Sequence, residues 1–222
     1  MNGQTRLHAA DGHRPPAYVA APAGPQRGGL VVVQEIFGVN DHIRRVAEGY
    51  AADGYLAVAP ALFDRVEPGV ELGYDDAGVQ RGRALKAASD HARALLDLAA
   101  AVAHAARAGR VGMVGYCWGG LLTWLAAAQV EGLAAAVPYY GGGIPDHAAR
   151  APRCPVLAHF GARDALIPLP DVDALRRAQP AVEVQVYDAG HGFNCDQRAS
   201  FDAAAAALAR ERTLAFLRRH VG

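Results

Sequence analysis

Val111-Gly112-Met113-Val114-Gly115-Tyr116-Cys117-Trp118-Gly119-Gly120 is the stretch on which the reading of this chain turns, with the apolar run Leu121 to Ala128 behind it. The opening residues suit a buried strand and the apolar run suits a helix, so the glycine-rich middle is a very tight turn. Gly115-x-Cys117-x-Gly119 has the spacing of a nucleophile elbow, where the central residue is held on a strained strand-to-helix turn and its neighbours must lack bulk. Here the central residue is cysteine. The turn raises its side chain above the sheet, beside a helix start whose free N–H groups and positive dipole end favour the thiolate, the attacking species. A phosphate-binding turn, or a packing corner with an inert buried cysteine, would use the same letters, so the rest of the chain has to decide.

Towards the N-terminus, Leu30-Val31-Val32-Val33-Gln34 is a β-branched run expected of a parallel strand covered on both faces. Glu35-Ile36-Phe37-Gly38 follows, then Asn40 as N-cap of a helix from Asp41 to Asp53 with Ile43, Val46, Ala47 and Tyr50 on its apolar face. Short strands are expected at Ala17 to Ala20 and Tyr55 to Ala59. Leu62 to Gln80 reads as an irregular excursion over the active-site end of the sheet, with Arg81 and Arg83 at its tail, and Ser89 to Ala108 as a long helix leading to the elbow. Beyond the elbow, strands are expected at Leu133 to Tyr140, Pro155 to Phe160 and Val182 to Tyr187. Helices are expected at Asp171 to Gln179 and at Ser200 to His220, the last anchored by Phe201, Leu208 and Leu217. Strands alternating with helices along the whole length predict one α/β domain over residues 1–222, a doubly wound, mostly parallel sheet in three layers.

The 222 residues carry 22 basic and 22 acidic side chains, which leaves no electrostatic footprint for nucleic acid or an anionic membrane. Met1 to Pro16 is polar and unlike a signal peptide, and no apolar run is long enough to span a bilayer. Cys117, Cys154 and Cys195 form no Cys-x-x-Cys pair, so neither a disulfide framework nor a zinc site nor any other cofactor is expected, and a cytoplasmic location fits. Cys154 and Cys195 read as structural.

Cys117, Asp164 and His191 each fall just past the C-terminal end of an expected parallel strand, the edge where open α/β sheets bind ligands. Nucleophile, acid, histidine is the chain order of an α/β-hydrolase. Singly, Asp164 could be an Asx-turn and His191 a loop histidine; all three in the right order point to nucleophilic acyl transfer. His191 would take the proton of Cys117, Asp164 would orient the imidazole, and water would hydrolyse the resulting thioester. The backbone N–H groups of Trp118 and Ile36 are the candidate oxyanion donors. Glu35, a carboxylate directly after a buried strand, must turn to solvent or face the site. Phe37, Tyr116, Trp118, Tyr139 and Phe193 could line an apolar pocket.

Gln34-Glu35-Ile36-Phe37-Gly38-Val39-Asn40, Gly115 to Gly120, Gly161 to Asp164 and Ala189-Gly190-His191-Gly192-Phe193 together resemble the dienelactone hydrolase (carboxymethylenebutenolidase) family over nearly the whole chain. The resemblance implies a monomeric α/β-hydrolase that acts on a lactone or enol ester in the breakdown of aromatic compounds. Cys117, Asp164 and His191 would be its triad, and Glu35 would contact the resting thiol and help generate the thiolate. The family holds a substrate carboxylate with two arginines. Arg81 matches the first, with Arg83 close by; at the second position stands Cys195, and the nearest arginine is Arg198. A thiol-based redox or electrophile sensor built on Cys117 is the competing reading.

Overall fold

The valine-rich run ending at Val33 lies near the centre of an eight-stranded sheet in the computed structural model, which describes residues 2–222. The strands are β1 (Gly3–Arg6), β2 (Pro16–Ala20), β3 (Gly28–Val33), β4 (Tyr55–Pro60), β5 (Val111–Tyr116), β6 (Leu133–Tyr139), β7 (Leu157–Gly161) and β8 (Glu183–Tyr187). The helices are α1 (Asp41–Ala52), α2 (Asp76–Ala88), α3 (His91–Ala105), α4 (Trp118–Gln129), α5 (Leu169–Ala178) and α6 (Ala203–His220). The strand order is β1-β2-β4-β3-β5-β6-β7-β8; β3 to β8 pair in parallel, and β1 and β2 add an antiparallel edge. Every residue of β3, β4 and β5 is buried, as strands covered by helices on both faces require.

One helical layer contains α1 and α6, with a cavity of about 450 Å³ between them; α3 and α4 pack against each other on the other face. Local chemistry sets where the helices start. Asn40 accepts from Ile43 N–H at 3.2 Å, Asp75 from Gly78 at 2.8 Å, Asp90 from Arg93 at 3.1 Å and Asp202 from Ala205 at 2.9 Å. Buried Asp97 on α3 is neutralised by Arg65, which also grips Asp11 and so ties the N-terminal segment to the body.

One strand is added to the sequence reading and three expectations are corrected. The N-terminal segment contains β1, whose short polar strand has exposed side chains and no apolar alternation to announce it. Residues Asp76 to Gln80 are not irregular but open α2, and Arg81 and Arg83 sit within that helix. The long helix starts at His91, capped by Asp90, and tightens into a 3₁₀ turn at Ala106–Ala108. The last helix begins after Asp202, and Phe201 and Leu208 are each 41% exposed, leaving Leu217 as the buried anchor of the three.

Candidate active site

Cys117 sits between β5 and α4 with φ 54° and ψ −114°, a conformation L-residues avoid, at a cost of about 1–3 kcal/mol. Its neighbours hold it there: its N–H donates to Tyr139 C=O at 3.0 Å, and its own carbonyl accepts from Gly120 and Leu121 N–H. The flanking glycines have a steric cause. A Cβ on Gly115 would lie 2.1 Å from Gly119 O and 2.2 Å from Thr123 Oγ1, and one on Gly119 would lie 2.4 Å from Gln34 O and 2.5 Å from Val33 O. The elbow therefore presses against the end of β3 at Gly119 and against the first turns of α4 at Gly115, and bulk at either glycine would force that contact apart.

His191, in the loop after β8, places Nε2 3.2 Å from Cys117 Sγ and Nδ1 2.8 Å from Asp164 Oδ2. Asp164, in the turn after β7, is buried and fixes its other oxygen by accepting from Leu166 N–H at 2.9 Å. Burial pulls the imidazole pKa down, but hydrogen bonds to Asp164 and Cys117 outweigh it and take His191 up to about 9. The three residues named from the sequence thus form one connected chain at the C-terminal edge of the sheet.

Glu35 turns inward. Its side chain is 1% exposed, with Oε1 3.2 Å from Arg198 Nη1 and Oε2 accepting from Tyr74 OH at 3.3 Å. Among the described residues no hydrogen bond joins it to the Cys117 sulfur, which is bonded to His191 instead. The preceding Gln34 is a staple: buried, it donates to Glu35 C=O at 3.2 Å and accepts from Leu62 N–H at 3.1 Å, locking the strand end to the following loop.

Trp118 begins α4, so its N–H has no acceptor within the helix, and its ring stacks on Phe63 at 5.0 Å and 10°. Ile36 is buried beside α2, where Gly82 allows the helix to approach the Ile36 carbonyl. Phe37 is buried against Tyr74 with the Arg198 guanidinium 5.8 Å from its ring centroid. Arg81 is half-exposed and pairs with Glu67, and Arg83 is exposed. Tyr139 and Phe193, expected as pocket-lining aromatics, are fully buried. Tyr139 OH bonds Thr213 at 2.6 Å and its ring faces the cavity between α1 and α6; Phe193 packs among Tyr139, Tyr140 and Tyr187. Cys154 and Cys195 are free thiols pushed by burial up to about 11 and about 12.

Three residues of this neighbourhood escape the sequence reading. Tyr140, at φ 35°, sets its ring edge-on to His191 at 5.2 Å, and its buried hydroxyl has no partner among the described residues. The available signal was its place just past β6, on the same sheet edge as the triad. Tyr74 approaches from a chain segment far from any motif, and His42 from the first turn of α1 just past the Asn40 cap.

A cysteine elbow joined to histidine and aspartate at the edge of a helix-covered, largely parallel sheet defines an α/β-hydrolase. Residues 16–221 match the dienelactone hydrolase family. The carboxymethylenebutenolidase of Pseudomonas putida is 38% identical over 223 residues, covering 95% of this chain and 94% of its own. A candidate dienelactone hydrolase from Klebsiella pneumoniae superposes with a TM-score of 0.87 at 35% identity, covering 99% of both chains. A dienelactone hydrolase-like promiscuous phosphotriesterase from metagenomic libraries shares the fold with a TM-score of 0.78 at 24% identity, over 100% of this chain and 99% of its own. The chain belongs to the dienelactone hydrolase family and is a hydrolase of the ester or lactone type. No helix among the described residues is long and apolar enough to cross a membrane.

Proposed function

We propose that this chain hydrolyses a small carboxylic ester or lactone through a thioester on Cys117, acting as a single-domain cytoplasmic monomer without a cofactor. The observation that carries this is the chain Cys117 Sγ, His191, Asp164, with contacts of 3.2 and 2.8 Å, on a strained elbow. The sulfur attacks the acyl carbon and its proton resides on His191. The tetrahedral oxyanion is held by the N–H groups of Trp118 and Ile36. Collapse expels the alkoxide or enolate, which takes the proton from His191, and leaves the thioester. Water then attacks with His191 as base, releasing the acid and restoring the thiol.

Glu35 and Arg198 give the site its selectivity in this reading. Arg198 takes the place of the family's second arginine from a position farther along the chain. A substrate carboxylate competes with Glu35 for that guanidinium, and the displaced carboxylate turns towards Cys117 and helps its proton pass to His191. Arg81 would meet the far end of an anionic substrate only after leaving Glu67.

The test is hydrolysis of a p-nitrophenyl ester beside a carboxylated dienelactone by the wild type and Cys117→Ala. Both activities should vanish in the variant while its circular dichroism stays native. Turnover retained without the thiol would sink the mechanism, and loss of preference for the carboxylated substrate in the wild type would remove Arg198 from it.

A further inference from the structure

Beside the triad lies a second cluster of reactive side chains. Glu35 from the end of β3, His42 from the first turn of α1 and Cys195 from the loop after His191 are 1%, 6% and 0% exposed, and one ligand-type atom of each lies within 4.8 Å of the others. We propose that these three residues bind one divalent cation of the zinc type.

A thiolate, an imidazole and a carboxylate are the ligand chemistry of zinc, whereas magnesium and calcium take oxygen donors. Ligand atoms around tetrahedral zinc stand about 3–4 Å apart, so side-chain shifts on the order of 1 Å close the site. A second observation supports it independently. Asp196 Oδ1 lies 2.9 Å from His42 Nδ1, which fixes the ring and leaves Nε2 as the ligand atom, the carboxylate–histidine arrangement that backs metal-bound imidazoles. Tyr74 closes one side, with its hydroxyl on Glu35 Oε2 and its ring edge-on to His42 at 6.0 Å. The fourth position falls to water.

Charge decides whether burial is tolerable. The Glu35 carboxylate and the Cys195 thiolate balance a divalent ion, so the occupied cluster is neutral. Two groups must move: the Cys195 thiol releases its proton to solvent, and Arg198 leaves Glu35 Oε1 for the solvent it already partly reaches. Binding is therefore accompanied by proton release and is weakened in acid. Because an ion bound to Glu35 ties up the carboxylate that would otherwise turn towards Cys117, it acts as a reversible brake on hydrolysis. That consequence rests on the role proposed for Glu35; the binding itself does not.

Cobalt(II) is the probe, since thiolate ligation gives it a charge-transfer band in the near ultraviolet. One equivalent titrated into the reduced wild type and into Cys117→Ala should produce the band in both. Cys195→Ser should lose it, and Asp196→Asn should bind about 10–100-fold more weakly. Calorimetry in buffers of different ionisation enthalpy should show about one proton released per ion. No band in the wild type overturns the proposal. So does a band that survives in Cys195→Ser and disappears in Cys117→Ala, which would put the ion on the elbow. Should Cys195→Ser not fold, His42→Asn must bind at least about tenfold more weakly, and the comparison of wild type with Cys117→Ala stands in any case.

Discussion

Arg198→Met takes the charged partner from Glu35 while keeping most of the side-chain volume. Glu35 is 1% exposed and its remaining donor is the Tyr74 hydroxyl at 3.3 Å, so an ionised carboxylate would be left buried beside a single neutral donor. Breaking a buried ion pair costs about 3–5 kcal/mol; the 23% exposure of Arg198 and the surviving Tyr74 bond place this case at about 3 kcal/mol. Glu35→Gln should cost less, about 1–2 kcal/mol, because the abandoned guanidinium can turn to water. The double variant should then be less destabilised than the sum by about 2 kcal/mol, the coupling of the pair. Urea unfolding of the four proteins measures this directly, and the melting temperature of Arg198→Met should fall by about 6–12 °C. An Arg198→Met variant within about 0.5 kcal/mol of the wild type, or single costs that add within the same margin, would refute the reasoning.

His191 stands at about 9, against an ordinary value of 6.5, because hydrogen bonds to Asp164 and Cys117 outweigh burial. The pair's stability is thus complete below about 6.5 and is lost as pH rises through about 9, and kcat should fall over the same upper limb. Asp164→Asn should move that limb to lower pH, and a pH–rate profile unchanged by the substitution would contradict the assignment. Gly119→Ala puts a Cβ 2.4 Å from one carbonyl oxygen and 2.5 Å from another, neither on a flexible side chain, and should destabilise by about 3 kcal/mol in a thermal melt. A variant that melts with the wild type would show that the elbow can back away from β3. Tyr140→Phe deletes a buried hydroxyl without a partner among the described residues and should be neutral or stabilising by up to about 1 kcal/mol, whereas a clear loss of stability would mean the hydroxyl is satisfied in solution.

What could be read from the chain follows the range of the forces involved. The elbow, the strands β3 to β8 and the Asn40 cap were legible because each is written in adjacent residues: close packing of glycines, apolar runs, a side chain three residues from the N–H it accepts. The juxtaposition of Cys117, His191 and Asp164 was legible because topology sends consecutive strand ends to one edge, so chain order stands in for proximity. Strand β1 was not, since its pairing with β2 satisfies the backbone without burying side chains. Helix α2 is weakly amphipathic and its start depends on Asp75, hidden in a run of turn-forming residues. Tyr139 and Phe193 were aromatic in the right places, but Tyr139 joins a polar network with Thr213, His159 and Tyr187, and Phe193 packs on Tyr140 and Tyr187, contacts that come from distant segments. The cluster of Glu35, His42 and Cys195 was invisible for the same reason, because spacing motifs report only ligands close together in the chain.

The edge of the sheet holds two charge systems that the fold keeps apart. In one, Asp164 and Cys117 both lean on His191; in the other, Tyr74 and Arg198 both lean on Glu35. Each is closed, so neither requires the other while no substrate is present, and the buried charges are compensated locally. The second has one weak point, the single contact between Arg198 and Glu35, because the Arg198 side chain is 23% exposed and can turn to a new partner at the site's solvent side. An anionic substrate would therefore meet an arginine whose present partner is a carboxylate of equal charge, and the exchange would conserve charge at that end while freeing Glu35 at the other. Arg81, on the exposed side of α2 and paired with Glu67, has no such leverage on the nucleophile. On these grounds selectivity should be governed by Arg198, while the chemistry proposed for this site should depend on the elbow, His191 and Asp164.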